Sequence, residues 1–275
     1  MPHPSYVAEY SEKRLGMETV EARLRDARCV TDVELAEYSE CLVEIATAIR
    51  RKGPPDCVIA PLRGALKPAL LLKVIGDFKC IEYLPFQDRS DTHRRKAMET
   101  ALEAILKKRA PDRDVFRVFV VDTAIGGYGV QDLSAMIANV GSELGCPHLD
   151  VQFHLLHDIT RAPHDAVARI ESIRRMNTDM IRFTVWRHPV ASLIVEDWDP
   201  ALGIELRFKG DLFYAKPTRS EGVLYLRGST GVRELETSDL SHLLLQKMAE
   251  FTSEAITTNP RFEQTAVVWQ EYVKL

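Results

Sequence analysis

The residues with the clearest chemical potential form one run: Val118-Phe119-Val120-Val121-Asp122-Thr123-Ala124-Ile125-Gly126-Gly127-Tyr128-Gly129-Val130. Four β-prone apolar residues predict a strand, with Asp122 at its carboxyl end. Gly126, Gly127 and Gly129 let backbone approach a ligand closely, and helical spacing follows them. Amides at a helix N-terminus would then face the ligand and attract phosphate. An acid just before such a loop can hold ribose hydroxyls or a magnesium-bound group while the loop holds the phosphate. The same residues can also form a tight strand-to-helix turn with no ligand, the commoner meaning of an isolated glycine-rich turn.

Ile59-Ala60-Pro61-Leu62-Arg63-Gly64-Ala65 also follows an apolar run and precedes a helix. Arg63 suits a bidentate grip on phosphate, and Gly64 allows a tight turn. Taken alone, this is a surface arginine in a strand-to-helix turn. Further on, Ser192–Asp199 ends an apolar run in Glu196, Asp197 and Asp199 around Trp198. Carboxylates there can bind magnesium, while Asp199-Pro200 is turn chemistry. His154 and His157 lie three apart at a strand end and point to opposite faces, which makes them poor joint metal ligands. The chain has no Gly-x-Ser-x-Gly elbow, no His-Glu-x-x-His and no Walker loop.

The Val118–Val130 run resembles the diphosphoribosyl-binding loop of type I phosphoribosyltransferases. That motif is four apolar residues, two acids, two apolar residues and a Thr/Gly-rich loop. Asp122 matches the first acid, and Ala124-Ile125 match the apolar pair. Thr123 stands in place of the second acid, and the loop lacks the usual threonine hydroxyls. The Arg63-Gly64 turn resembles the family's pyrophosphate loop and precedes the Asp122 loop in the family's order. The basic stretch Arg89–Lys96, with His93, Arg94, Arg95 and Lys96, falls where the family carries a mobile hood; a solvated helix start explains it equally well. The likeness covers roughly residues 50–200.

The resemblance implies catalytic roles for Arg63 and Asp122, with Asp122 also a magnesium ligand. It implies a substrate-binding set of Gly64, Thr123, Gly126, Gly127, Tyr128, Gly129, Val130 and Trp198. Magnesium is expected with a diphosphate substrate. Tyr128 can stack, donate its hydroxyl or fill the phosphate site.

The elements that must position these residues follow from patterning. Val33, Leu35, Ala36, Leu42, Val43, Ile45, Ala46 and Ile49 predict a helix over 32–51, capped by Thr31 or Asp32 and ended by Gly53-Pro54-Pro55. Strands are expected over 56–60, 80–85, 116–121, 150–156, 181–185 and 192–195. Helices are expected over 69–75, 97–108, 130–144 and 165–176. This alternation predicts βαβ units and a mostly parallel sheet, whose ligands bind at the strands' carboxyl ends. After Pro200, short strands over 205–208, 212–215 and 223–226 precede a helix over 240–256 and a helical tail. The expected class is α/β of the type I phosphoribosyltransferase kind. Its parts are a helical lead-in (1–52), a core (53–200) and a C-terminal α+β extension (201–275).

The 275 residues carry a net charge of −4, with 45% apolar and 28% charged residues, an ordinary globular balance with no nucleic-acid footprint. Five dispersed cysteines without Cys-x-x-Cys suit reduced thiols. No signal peptide or membrane span is expected, so the location expected is cytoplasmic. The expected function is binding of phosphoribosyl diphosphate or a related nucleotide, with transfer of the phosphoribosyl group to a base or other acceptor. The alternative is a catalytically degenerate nucleotide-sensing or effector module that meets a protein partner through its N-terminal or C-terminal helices. Fold-level analogy with anti-phage defence components illustrates that second class.

Overall fold

The computed structural model describes residues 30–51, 53, 55–62, 64–65, 68–69, 71–73, 81–86, 92–109, 114–145, 148–191, 193, 204–209, 212–217, 224–228, 231–235, 244 and 246–250. The core is an α/β unit around a five-stranded, all-parallel sheet. Its strands are β2 (Cys57–Leu62), β3 (Ile81–Pro85), β4 (Val115–Ala124), β5 (His148–Asp158) and β6 (Ile181–Val190). Their spatial order is β3-β2-β4-β5-β6. β2 is buried along its whole length, as expected of a parallel strand covered on both faces.

One face of the sheet is covered by α1 (Asp32–Arg51). Leu35, Leu42, Ile45 and Ile49 of this helix pack with Phe119, Val121, Leu156 and Val190. Burying each such side chain contributes roughly 1.5–3 kcal/mol. Thr31 and Glu34 start the helix as a reciprocal capping box: the Thr31 amide donates to Glu34 Oε2 at 2.9 Å, and the Glu34 amide donates to Thr31 Oγ1 at 3.2 Å. Thr31, rather than Asp32, is therefore the cap. Leu244 and Met248, which lie among the helical residues 244 and 246–250, join the same cluster, and Ser39 Oγ lies 3.4 Å from the Leu244 carbonyl.

The other face is covered by α2 (Thr92–Arg109), α3 (Tyr128–Glu143), the short α4 (Ala166–Glu171) and a 3-10 turn over Ser172–Met176. Met98, Leu102, Val130, Leu133, Ile137, Ile170 and Ile173 pack there with Val118, Val120, Val151, Phe153 and Phe183. Alternation along each strand thus gives each side chain a definite layer. Val118 and Val120 face α2 and α3, whereas Phe119 and Val121 face α1.

Beyond the main sheet, β7 (Ile204–Lys209) and β8 (Leu212–Pro217) form an antiparallel pair. β9 (Leu224–Gly228) pairs antiparallel with β10 (Gly231–Leu235) and parallel with β1 (Val30–Thr31). The two-residue β1 and the strand β10 were not expected from patterning. No helix among the described residues is long and apolar enough to cross a membrane. The expected strand over 192–195 falls largely outside the described residues, as does the helical tail.

Candidate functional site

Chain growth reverses between β2 and β4: β3 is added on one side of β2, and β4 to β6 are added on the other. In open parallel sheets such a switch point opens a crevice at the carboxyl ends of the two strands. The β2–β4 ladder ends at the pair Ile59–Val120, while β2 continues beside β3 to the pair Leu62–Pro85, and β4 continues beside β5 to the pair Ala124–His157. Beyond that last rung, β2 leads into the Pro61–Ala65 turn and β4 into the glycine loop. The two segments selected from the sequence therefore follow the two strands that meet at this switch point.

On the β2 side, the Ala65 amide donates to the Pro61 carbonyl at 3.1 Å, and the Ala69 amide donates to the Ala65 carbonyl at 3.0 Å. Gly64 lies inside this tightly wound turn. Ala60, Ala65 and Ala69 are fully buried together, so small side chains let the turn sit against the sheet. Arg63 lies outside the described residues, as does Trp198.

On the other side, Asp122 lies within β4 rather than at its end, because pairing with β5 carries the strand on to Ala124. It falls between Val120 and Ala124 on the α3 side of the sheet, 9% exposed, and its Oδ1 accepts the Thr123 amide at 2.8 Å. Thr123 alternates to the α1 side with Val121 and is buried. The residue that replaces the second acid is thus aimed at the opposite layer from Asp122.

The loop then turns at Gly127, which has φ 78° and stands as the N-cap of α3. This left-handed conformation favours glycine. No side chain caps α3 among the described residues, so its early amides lack the usual side-chain acceptor. The Gln131 amide donates to the Gly127 carbonyl at 3.1 Å, which begins the helical ladder. Gly129 and Val130 fall in the first turn, with Val130 buried. Tyr128 is 59% exposed, and its ring lies against the Arg169 guanidinium.

The structure adds residues that sequence reasoning did not select. His157, across the ladder from Ala124, is 1% exposed, and neither ring nitrogen has a hydrogen-bond partner. Burial pushes its pKa below the usual histidine value, and the nearby Ile125 backbone, short of hydrogen-bond geometry, opposes part of that shift. Arg169 touches the loop directly. Its spacing from Asp165 signals a helical ion pair, but nothing in the sequence places its side chain on Gly126.

His154 takes the opposite face from His157, as expected. Its ring stacks on that of His188 with centroids 5.7 Å apart, and His188 Nδ1 lies 3.3 Å from Glu44 Oε2. His164 is exposed. Asp158 is fully buried and organises the β5–α4 loop, accepting the Thr160 and Arg161 amides at 2.9 Å and 3.0 Å and Arg161 Nε at 2.7 Å. Burial would raise its carboxyl, but these donors outweigh burial and hold it below the usual value. Arg95 and Lys96 are exposed in the first turn of α2, and Arg95 Nε is 3.3 Å from Glu99 Oε1, the arrangement of a solvated helix start.

Among the described residues, no cluster of three or more His, Cys, Asp or Glu side chains could hold a metal ion. Asp122 by itself could supply one ligand to a magnesium ion, which commonly takes one or two carboxylates and fills its other positions with water or other oxygens. Comparison with protein-family models, curated proteins and solved structures found no match to this chain.

Proposed function

We propose that this protein binds phosphoribosyl diphosphate, or a closely related nucleotide, in the crevice between β2 and β4, and transfers the phosphoribosyl group to a base or other acceptor. The observation that carries this reading is the switch point itself. It lies between the two strands whose following loops contain Arg63-Gly64 and Gly126–Val130. Asp122 would hold the ribose hydroxyls, or a magnesium ion bound to the diphosphate. The first-turn amides of α3 would hold the 5-phosphate, where the helix dipole favours negative charge. Arg63 and the Gly64 amide would stabilise the departing diphosphate. Trp198 would stack on the acceptor.

In such a transfer the bond from ribose C1 to the diphosphate oxygen breaks as positive character develops on the ribose. The acceptor atom forms the new bond, and diphosphate leaves with its electron pair. The protein's share is positioning and charge stabilisation. Magnesium, when bound, offsets charge on the diphosphate.

A second reading is favoured by Thr123. With the second acid replaced by a buried threonine on the other layer, the pocket keeps one carboxylate for the ribose. That supports nucleotide binding without turnover, as in a sensing module coupled to a protein partner. Release of diphosphate from phosphoribosyl diphosphate over a panel of bases separates the two. Release that depends on Asp122 supports transfer. A thermal shift with phosphoribosyl diphosphate and magnesium but no release supports the sensor. No shift with any phosphoribosyl ligand sinks both.

A further inference from the structure

Arg169 of α4 meets the glycine loop through its whole guanidinium. Nη1 donates to the Gly126 carbonyl, Nη2 donates to the Asp165 carboxylate, and Cζ lies 3.6 Å from the centroid of the Tyr128 ring. The Arg169 side chain is only 11% exposed. Its neighbours grip the same region. Ile170 occupies the space over Gly127, where a Cβ would lie 2.7 Å from its Cγ1. Gln131 Nε2 donates to Ser172 Oγ at 2.8 Å, and Ser172 Oγ donates to the Arg169 carbonyl at 2.6 Å. α4 and the first residue of the 3-10 turn after it thus hold the loop and the first turn of α3.

The consequence follows from peptide planarity. The Gly126 carbonyl and the Gly127 amide belong to one peptide unit and point in opposite directions. A guanidinium that fixes the carbonyl toward α4 therefore aims the amide away from α4. The cation–π contact holds the Tyr128 ring on the Arg169 side. An independent sign that this loop is built to meet a ligand is His157. Its imidazole is buried at the base of the loop with both nitrogens unpartnered, a costly arrangement in a finished core.

We propose that Arg169 is the positioning residue of the glycine loop, presetting the Gly127 amide and the first-turn amides of α3 for a sugar 5-phosphate. The proposal rests on the phosphoribosyl reading above and assigns the specificity for the phosphate end of the ligand to α4. Arg169 touches no substrate in this account; it acts through Gly126.

The test compares the full-length wild type with Arg169→Lys, which keeps charge but loses the fork, and with Arg169→Ala. Affinity for ribose 5-phosphate is expected to fall about tenfold or more in both variants. Affinity for inorganic diphosphate, held by the Pro61–Ala65 turn, is expected to stay within about twofold. Deuterium uptake by the amides of residues 126–130 is expected to rise in both variants without ligand. A general loss of structure would weaken both ligands together. Unchanged ribose 5-phosphate affinity, or equal loss for the two ligands, overturns the positioning role while leaving the phosphoribosyl reading standing. A wild type that binds neither ligand overturns that reading and the ligand half of this proposal with it. Unchanged exchange in the loop overturns the clamp whatever the binding result. Should Arg169→Ala fail to fold, Arg169→Lys decides alone.

Discussion

A Cβ placed on Gly127 would lie 2.7 Å from Cγ1 of Ile170, so the turn that opens α3 and the helix that backs it fit only with glycine there. The backbone makes the same demand, because φ at Gly127 is 78°. Gly127→Ala should therefore lower stability by about 1–3 kcal/mol, from left-handed strain plus overpacking. Chemical denaturation measures it. Shortening Ile170 to valine in the same chain should return part of the loss. A Gly127→Ala protein as stable as wild type would mean that α4 does not press on the loop.

Acid should weaken the fold through its buried histidines. Burial lowers the pKa of His157 and of His188, with Glu44 opposing the shift at His188. A histidine whose folded value is depressed contributes stability that is fully present above its unfolded value of about 6.5 and is lost as pH falls through the folded value. Melting temperature should therefore fall as pH drops below about 6.5, before most carboxylates titrate. His188→Gln should flatten that slope, although Asp158, held low by its donors, still resists acid until lower pH. A wild-type melting temperature that does not change between about pH 7 and pH 5 would contradict the burial of both rings.

The capping box at the start of α1 gives a third expectation. Thr31→Ala removes the hydroxyl that accepts the Glu34 amide and should cost about 1 kcal/mol. Because α1 covers one face of the sheet, the loss should appear in global unfolding and not only in helix fraying. Hydrogen exchange across α1 distinguishes the two.

Much of this architecture was legible in the sequence, and the exceptions have physical causes. The apolar face of residues 32–51 marks α1 from its first residue to its last. The central strands were read too short. The run Val118–Val121 looks complete, yet β4 persists to Ala124 because β5 supplies partners for Asp122, Thr123 and Ala124. β5 likewise starts before Asp150 and continues past Leu156 through His157 and Asp158, two polar residues beyond the apolar run. β6 runs on through Arg187, His188 and Pro189, which an outer strand of the sheet tolerates. β1 exists only because Val30 and Thr31 meet Leu226 and Arg227, a pairing across most of the chain that no local pattern reports.

The site divides in the same way. Asp122 and the three glycines were visible because strand, acid and turn lie in one continuous stretch. Arg169 and His157 were not, because each reaches the loop only through tertiary packing. Arg169 pairs with Asp165 one helical turn away, but its guanidinium also bonds the Gly126 carbonyl, far away in sequence.

Asp122 is the one acid of the strand-to-loop segment, and Asp122→Asn removes its charge with little disturbance to the fold. The amide oxygen can still accept the Thr123 amide that Oδ1 accepts at 2.8 Å, while the charge is lost. Calorimetric titration with phosphoribosyl diphosphate and magnesium is the direct measurement. Wild type should give saturable heat, and Asp122→Asn should bind about tenfold or more weakly at an unchanged melting temperature. Equal affinity in the two proteins, or no binding by wild type, would contradict the proposed site.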